Sequence, residues 1–482
     1  MDSLRTGFSE KISLTVSSLS VRNRIDFFLN GERVSLPADL AGRTVLAWLR
    51  EERRLTGTKE GCAEGDCGAC TVVLADTDAN GALRYRPAAS CILLLGTLDG
   101  LELITVEALG TGGKPHPVQR AMVERHGSQC GFCTPGFVMA LFAHYKNRLP
   151  SDRISLCDAL AGNLCRCTGY APILAAGEIM GSYRNEKQEA RQDAECRARL
   201  ASLPRDGVGG GQFRAPRCAE ELAAALEPGA TLLAGGTDLG LLVTKGLGNL
   251  GNMVYTGNVK ELKSITQEQD HVQIGAAVTY AEAHQALARI HPDIGELLRR
   301  LGGAQVRAFG TLGGNIANAS PIGDTMPVLL SLDAIVALQR KNATREAKIS
   351  EFYTGYRKTI LQPGEFIRSI RIPKLAPGAR FAAYKLSKRF DQDISSVCAA
   401  FHIAPDGRVC FGFGGMAATP ARAPKAEAAW AQGIDAACAA LAEDFQPLSD
   451  HRASSWYRLT AAQNLLRKFA AGISCREIFD IP

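Results

Sequence analysis

The sequence predicts a multidomain α+β protein, and three observations carry that expectation. The chain has 482 residues, enough for about three domains of roughly 150 residues each. Its texture changes along its length, from short β-like runs, to apolar residues at helical spacing, to a mixture with glycine-rich turns. Eight of the 15 cysteines fall into two tight groups, one in each of the first two textures. With 46% hydrophobic and 22% charged residues, each domain can bury a core.

Residues 24–105 form the first expected domain, with strand-like runs at 25–29, 71–74 and 101–106. Residues 106–185 read as a helical domain, with apolar positions at helix spacing over 116–126, 136–147 and 153–162. Residues 186–217 read as a linker. They open on a charged Ala/Gln/Glu/Arg-rich run and close with Pro204 and the triplet Gly209, Gly210 and Gly211. Residues 218–376 form a third domain of strands, helices and glycine-rich turns, and 377–482 a C-terminal lobe. There is no internal repeat.

The bulk numbers exclude some functions. The net charge of +6, from 55 basic and 49 acidic residues, is scattered, with no Lys/Arg stripe of the kind that follows phosphates. No nucleic-acid partner is expected. No apolar run has the length of a membrane span; 91–95 is strand-sized. Residues 1–23 lack an apolar segment followed by a small-residue cleavage site, so they read as a frayed extension and the chain as cytoplasmic. Clustered thiols in a reducing compartment point to metal or redox chemistry.

The first cysteine group is Gly61-Cys62-Ala63-Glu64-Gly65-Asp66-Cys67-Gly68-Ala69-Cys70, with Cys91 beyond. C-x4-C-x2-C with a distant fourth Cys is the plant-type [2Fe–2S] spacing. A loop supplies three thiolates only if it curls tightly, and Gly61, Gly65, Gly68 and Ala69 leave it room to do so. Zinc also takes four thiolates, but usually from paired CxxC knuckles, and this group holds one such pair. The second group is Cys130 and Cys133, then Cys165 and Cys167, spaced C-x2-C…C-x-C around a helical stretch. Pro135 marks a helix start just after Cys133. On spacing alone this group also suits zinc; beside the first, it reads as a second electron-transfer centre. Cys157, Cys196, Cys218, Cys398, Cys410, Cys438 and Cys475 are scattered and read as small hydrophobes or free thiols.

Together the motifs GCAEGDCGACTV and QCGFCTPG…NLCRCTGY resemble the iron–sulfur half of the molybdenum hydroxylases, the family that includes xanthine dehydrogenase, aldehyde oxidase and carbon monoxide dehydrogenase. The resemblance implies a β-grasp ferredoxin-like domain and a helical-bundle domain, each holding one [2Fe–2S] cluster. It places the helical-domain cluster nearer the molybdenum and the ferredoxin-like cluster nearer a flavin. It also sets Gln129, beside Cys130, towards the pterin of the molybdenum cofactor.

The third domain extends the likeness. Leu232, Leu233, Ala234, Gly235, Gly236, Thr237, Asp238 and Leu239 read as a strand, a Gly-Gly turn and a helix start. The backbone N–H groups of such a turn suit a pyrophosphate. A second glycine-rich segment runs from Gly310 through Thr311, Leu312, Gly313, Gly314 and Asn315 to Asp324. Gly-Gly turns alone are weak signals, but both segments resemble the FAD-binding segments of the family, in an α+β domain that is not of the Rossmann type. The same resemblance puts Asp324, Ile367 and Lys385 against FAD. Leu301 stands where many relatives have an aromatic residue, so packing on the ring is expected to be looser or supplied elsewhere. Gly246-Leu247-Gly248-Asn249-Leu250-Gly251 satisfies G-x-G-x-x-G, but it follows a probable helix and precedes a strand-like run, the reverse of the Rossmann order, and reads as a loop. The segment 385–394 is charged on both signs; its bland reading is a solvated turn, and the resemblance makes Asp391 and Asp393 candidates for tuning the electron acceptor.

The fused order of two iron–sulfur domains and a flavin domain resembles the small subunit of bacterial xanthine dehydrogenases, whereas carbon monoxide dehydrogenase keeps its flavin on another chain. The resemblance therefore implies electron transfer from a molybdopterin cofactor on a large partner subunit, through both clusters to FAD and then NAD, during hypoxanthine and xanthine hydroxylation. A heterotetramer of two small and two large subunits is expected, with no catalytic acid or base in this chain. The rival readings are a subunit of an aldehyde- or N-heterocycle-oxidising relative, a standalone iron–sulfur flavoprotein carrier, and a zinc-stabilised binding module.

Overall fold

A computed structural model of the chain describes residues 21–78, 80–110 and 112–475. The extension expected at 1–23 lies outside these apart from 21–23.

The first domain is built on a hairpin of β1 (Arg24–Leu29) and β2 (Glu32–Pro37). α1 (Val45–Glu51) follows, started by the Thr44 hydroxyl, which accepts from the Ala47 N–H at 3.3 Å. β3 (Thr71–Thr77) and β4 (Leu83–Ala89) form a second antiparallel pair. β5 (Glu102–Ile104) then inserts parallel to β1 and antiparallel to β3, giving the order β2-β1-β5-β3-β4. This is the expected β-grasp. Its central strands are buried on both faces, and Trp48 of α1 meets Phe27 of β1 edge-on with ring centroids 5.6 Å apart.

Among the described residues the helical domain has four α-helices, α2 (Pro117–Glu124), α3 (Thr134–Lys146), α4 (Arg153–Leu160) and α5 (Ala171–Met180). Pro135 sits in the first turn of α3, where its missing N–H costs no intrahelical bond. α3 is the centre of the bundle and is buried without a break from Gly136 to Lys146. Asp152 caps α4 by accepting from the Ser155 N–H at 3.0 Å.

The stretch read as a linker is largely ordered. Glu186–Ala201 is a 16-residue helix, α6, capped by Asn185. Its composition of Ala, Glu, Gln and Arg is helix-favouring as well as polar, and one face is buried through Glu189, Cys196 and Leu200. Lys146 fastens it: its Nζ donates to Glu189 and to Asp193, each at 2.7 Å. The glycine triplet is ordered as well, since Val208–Gly210 and Phe213–Ala215 are strands.

Those two strands join Met253–Tyr255 and Thr231–Leu233 in a four-stranded sheet. A five-stranded sheet holds Ile265–Gln267, His271–Gly275, Phe366–Pro373, Ile335–Arg340 and Ala343–Lys348, with every neighbouring pair antiparallel. Neither is the doubly wound parallel sheet of a Rossmann domain. The C-terminal lobe is an antiparallel sheet of four strands whose core is shared with the helices Ile434–Asp444 and Ser455–Ala470. Residues 246–251 are the loop between the helix Leu239–Thr244 and the strand Met253–Tyr255.

Candidate functional site

The first cysteine group closes on itself. The loop before β3 wraps the Cys62 sulfur, which accepts from the N–H groups of Glu64, Asp66 and Cys67, each at 3.4 Å. Those bonds, with hydrogen bonds from the thiols of Cys67 and Cys91 as the largest cause, hold Cys62 far towards the thiolate. Cys70, at the start of β3, and Cys91, after β4, are buried with their sulfurs 3.3 Å apart. The four thiols therefore meet in one chain of contacts, from Cys67 to Cys62, from Cys62 to Cys91 and from Cys91 to Cys70. Among the described residues no group of three or more His, Cys, Asp or Glu side chains closes around a single ion. Four thiols converging from a C-x4-C-x2-C loop and a distant Cys suit a two-iron cluster, which takes two thiolates on each iron.

The close fit depends on Gly68. It takes φ +71°, and a Cβ there would lie 2.2 Å from the Gly162 carbonyl oxygen of the helical domain. The two cysteine loops thus touch directly, and the Leu164 N–H donates to the Cys67 carbonyl at 3.0 Å.

The second group gathers between helix ends. Cys133 sits at the N-terminus of α3, and Cys165 and Cys167 lie in the loop before α5. Cys130 pairs with Cys167 and Cys133 with Cys165. The Tyr170 hydroxyl accepts from the Cys165 N–H at 3.0 Å and fixes that loop. Burial pushes the Cys133 thiol up to about 12. Cys130 and Cys167 are exposed, as are Gln129 and Phe132 beside them. The first group instead faces the flavin half. Leu241 packs against Cys70, Cys91 and Ile92, Lys245 donates to the Cys62 carbonyl at 3.1 Å, and Gln392 donates to the Asp66 carbonyl at 2.6 Å. The remaining cysteines lie apart: Cys196, Cys398, Cys410, Cys438 and Cys475 are buried, and Cys218 caps a helix through its sulfur.

The two glycine-rich segments come together. Gly235 lies so close to the second segment that a Cβ would sit 1.8 Å from the Phe309 carbonyl oxygen. Leu232 and Leu233 end a strand, Ala234, Gly235, Gly236 and Thr237 turn, and Asp238 precedes a helix beginning at Leu239. The Thr311 hydroxyl accepts from the Gly314 N–H at 3.0 Å and starts the helix Leu312–Asn318. Beside them runs a cleft lined by Arg84 and Arg86 of β4, Gly235, Asn258, Thr279 and Thr311. The Asn258 Nδ2 is buried there with no hydrogen-bond partner among the described residues. A donor left over between two glycine-rich turns is what a bound pyrophosphate would occupy. Sequence reading missed Asn258, because a Gly-Asn turn after a strand carries no motif.

Asp324 and Lys385 meet in a buried pair. The Lys385 Nζ donates to the Asp324 carboxylate at 2.7 Å and to the Arg300 carbonyl at 3.0 Å. The pair joins the second segment through Thr325, which donates to Asn315 Oδ1 at 2.9 Å. Ile367 is buried in the five-stranded sheet, one position before Arg368, whose carbonyl accepts from the Ala276 N–H; the Ala276 carbonyl in turn accepts from Gly313. Leu301 packs into the core of this sheet. Asp393 is used up in its own loop, accepting from the Arg389 and Ile394 N–H groups. Burial raises the Asp391 carboxyl, against the pull of Arg299.

Comparison with known proteins agrees with this layout. Residues 27–95 match a 2Fe-2S iron-sulfur cluster binding domain and 105–178 a [2Fe-2S] binding domain. Residues 211–375 match an FAD binding domain in molybdopterin dehydrogenase, and 382–473 a CO dehydrogenase flavoprotein C-terminal domain. The chain is 31% identical to a xanthine dehydrogenase of Emericella nidulans over 84% of its own length and 35% of the relative's. It is 29% identical to a xanthine dehydrogenase/oxidase of Rattus norvegicus over 88% of its length and 37% of the relative's. The chain thus spans about a third of these curated relatives. Among solved structures, a chain of the CO dehydrogenase from Oligotropha carboxidovorans matches 54% of this chain and 96% of its own length, at 28% identity and a TM-score of 0.51. A chain of quinoline 2-oxidoreductase from Pseudomonas putida shares the fold over 55% of this chain, at 24% identity and a TM-score of 0.50.

Proposed function

The chain carries the two [2Fe–2S] domains and the FAD-binding domain of the molybdenum hydroxylase family, and from that premise we propose that it is the electron-transfer subunit of a xanthine dehydrogenase. One observation carries the finer reading. A xanthine dehydrogenase aligns with 84% of this chain, while the carbon monoxide dehydrogenase chain covers 54% of it.

Cys62, Cys67, Cys70 and Cys91 hold one cluster, and Cys130, Cys133, Cys165 and Cys167 the other. The segments 232–239 and 311–315, with Asp324, Ile367 and Lys385, would hold FAD. When bound, it supplies the change from single electrons to a hydride delivered to NAD. The chain's own residues set the route. Exposed Cys130 and Cys167, with Gln129 beside them, form the entry side, which faces the molybdopterin of a large partner subunit in a cytoplasmic heterotetramer. Buried Cys70 and Cys91 would form the exit side, where Leu241 and Ile92 pack over them and shield them from water. Among the described residues no helix is long and apolar enough to cross a membrane.

The test is turnover of the co-purified complex with xanthine or hypoxanthine, with NAD and oxygen as alternative acceptors. Xanthine-dependent NADH formation is expected. Turnover of an aldehyde or N-heterocycle without xanthine activity would overturn the substrate, and a lone chain without molybdenum would overturn the subunit role.

A further inference from the structure

The cleft beside the two glycine-rich segments is shared with the first iron–sulfur domain, and it leaves hydrogen-bond donors without partners. Arg84 and Arg86 enter it from β4, while Asn258, Lys263, Thr279 and Thr311 line it from the flavin half. The carboxylates that face it are already engaged. Asp76 accepts from Arg84 Nε and Nη2, each at 2.9 Å, and pairs with Arg86 Nη2 at 2.9 Å. Glu282 accepts from Arg84 Nη1 at 2.6 Å and from the Thr279 N–H and hydroxyl, each at 2.9 Å. Asp99 is held by Arg22 and Arg217, each at 2.9 Å. Among the described residues, the Arg86 Nε and the Asn258 Nδ2 are buried with no hydrogen-bond partner, and the Lys263 ammonium makes no hydrogen bond or ion pair.

Donors left over in this way, two of them on cationic side chains, call for an anion. A buried donor without a partner is costly until one arrives. Arg86 also ties the site to both glycine turns. Its guanidinium lies over the Phe309 ring, 4.4 Å from the centroid, and the Phe309 carbonyl is the group against which Gly235 packs. The cleft is small, about 60 Å³, which suits a compact oxyanion rather than a ring system. Phosphate meets the demand, because its several oxygens accept at once from a guanidinium, an ammonium and an amide. We propose that Arg86, Lys263 and Asn258 bind a phosphate group across the boundary between the first iron–sulfur domain and the flavin half. Its source is the diphosphate of FAD or a separate phosphate ion. The first source rests on the flavin half holding FAD; the second does not.

The experiment uses the purified complex, stripped of flavin and held in phosphate-free buffer. FAD is titrated back and followed by its fluorescence, and inorganic phosphate is titrated by calorimetry with FAD present. Lys263→Met and Arg86→Met each remove one charged donor, while iron content and cluster absorbance check that the fold is kept. If the phosphate belongs to FAD, each variant should weaken FAD binding by about tenfold or more, as losing a charge-assisted hydrogen bond does, and Lys263→Arg should keep it. If it is a separate ion, FAD affinity should stay put, while the wild type takes up inorganic phosphate and both variants lose it. Unchanged FAD affinity overturns the inference if the wild type binds no inorganic phosphate, or binds it in a way that neither variant weakens. If Arg86→Met loses iron or does not accumulate, Lys263→Met, at an exposed residue, decides alone by the same criteria. A wild-type complex that takes up no FAD overturns the flavin reading instead, and the phosphate titration then decides the site.

Discussion

Replacing Lys146 with Met should loosen the helical domain from α6 by a predictable amount. The ammonium is 4% exposed and lies between Glu189, at 6%, and Asp193, at 22%, with both oxygens 2.7 Å away. The two carboxylates respond differently. Asp193 keeps a 2.7 Å bond from the Tyr85 hydroxyl and reaches solvent, so its share is small. Glu189 is left as a buried, uncompensated charge, and breaking such a pair costs about 3–5 kcal/mol. In a unit of this size 1 kcal/mol moves the melting temperature by about 2–4 °C, so Lys146→Met should melt roughly 10 °C lower. Thermal melting of the purified complex, followed by the visible absorbance of the clusters, measures this. Adding Glu189→Leu removes the stranded charge and should recover most of the loss. A drop under about 2 °C for the single variant, or no recovery in the double, would refute the reasoning.

Cys91→Ser and Cys133→Ser should each abolish one EPR signal and halve the iron from about four to about two atoms per chain; elemental analysis showing iron unchanged would contradict the ligand sets. Lys385→Met strands the buried Asp324 carboxylate and should lower the FAD recovered with the complex at least several-fold, read from flavin absorbance after denaturation. Burial lowers His116 to about 4 from an ordinary 6.5, so the folded chain keeps it neutral while the unfolded chain takes up a proton. Its contribution to stability is complete above pH 6.5 and is lost as pH falls towards 4, by about 3 kcal/mol in all. His116→Asn, which keeps a capping acceptor for the Val118 N–H, should flatten the urea-midpoint slope between pH 7 and 5.

The sequence was legible where function demands local geometry. Three of the first four cysteines lie within nine residues, because one loop must present them together. The paired glycines of 235–236 and 313–314 were visible too, though a weaker signal alone, and the structure gives a reason for them: a Cβ at Gly235 would lie 1.8 Å from the Phe309 carbonyl oxygen and one at Gly313 2.5 Å from the Ala276 Cβ. What escaped is long-range. Gln305 reaches Thr71 across 234 positions and Asn163 across 142, and no periodicity records such a contact. α6 was hidden for another reason. Its buried stripe consists of Glu189, Cys196 and Leu200 in a charged helix, so composition alone reads as solvated chain.

The unequal burial of the two cysteine groups also bears on how the molecule is made. Cys70 and Cys91 are sealed under Ile92 and Leu241, whereas Cys130 and Cys167 stay open. Iron and sulfide delivered to the finished fold should reach Cys130 and Cys167 directly, and Cys70 and Cys91 only while Leu241 and Ile92 are not yet packed over them. Loading of the folded, iron-free chain should therefore fill the helical site first, while the loop site waits for the flavin half to lift. The packing of Leu241 on Cys70 and Cys91 is thereby expected to set an order of assembly.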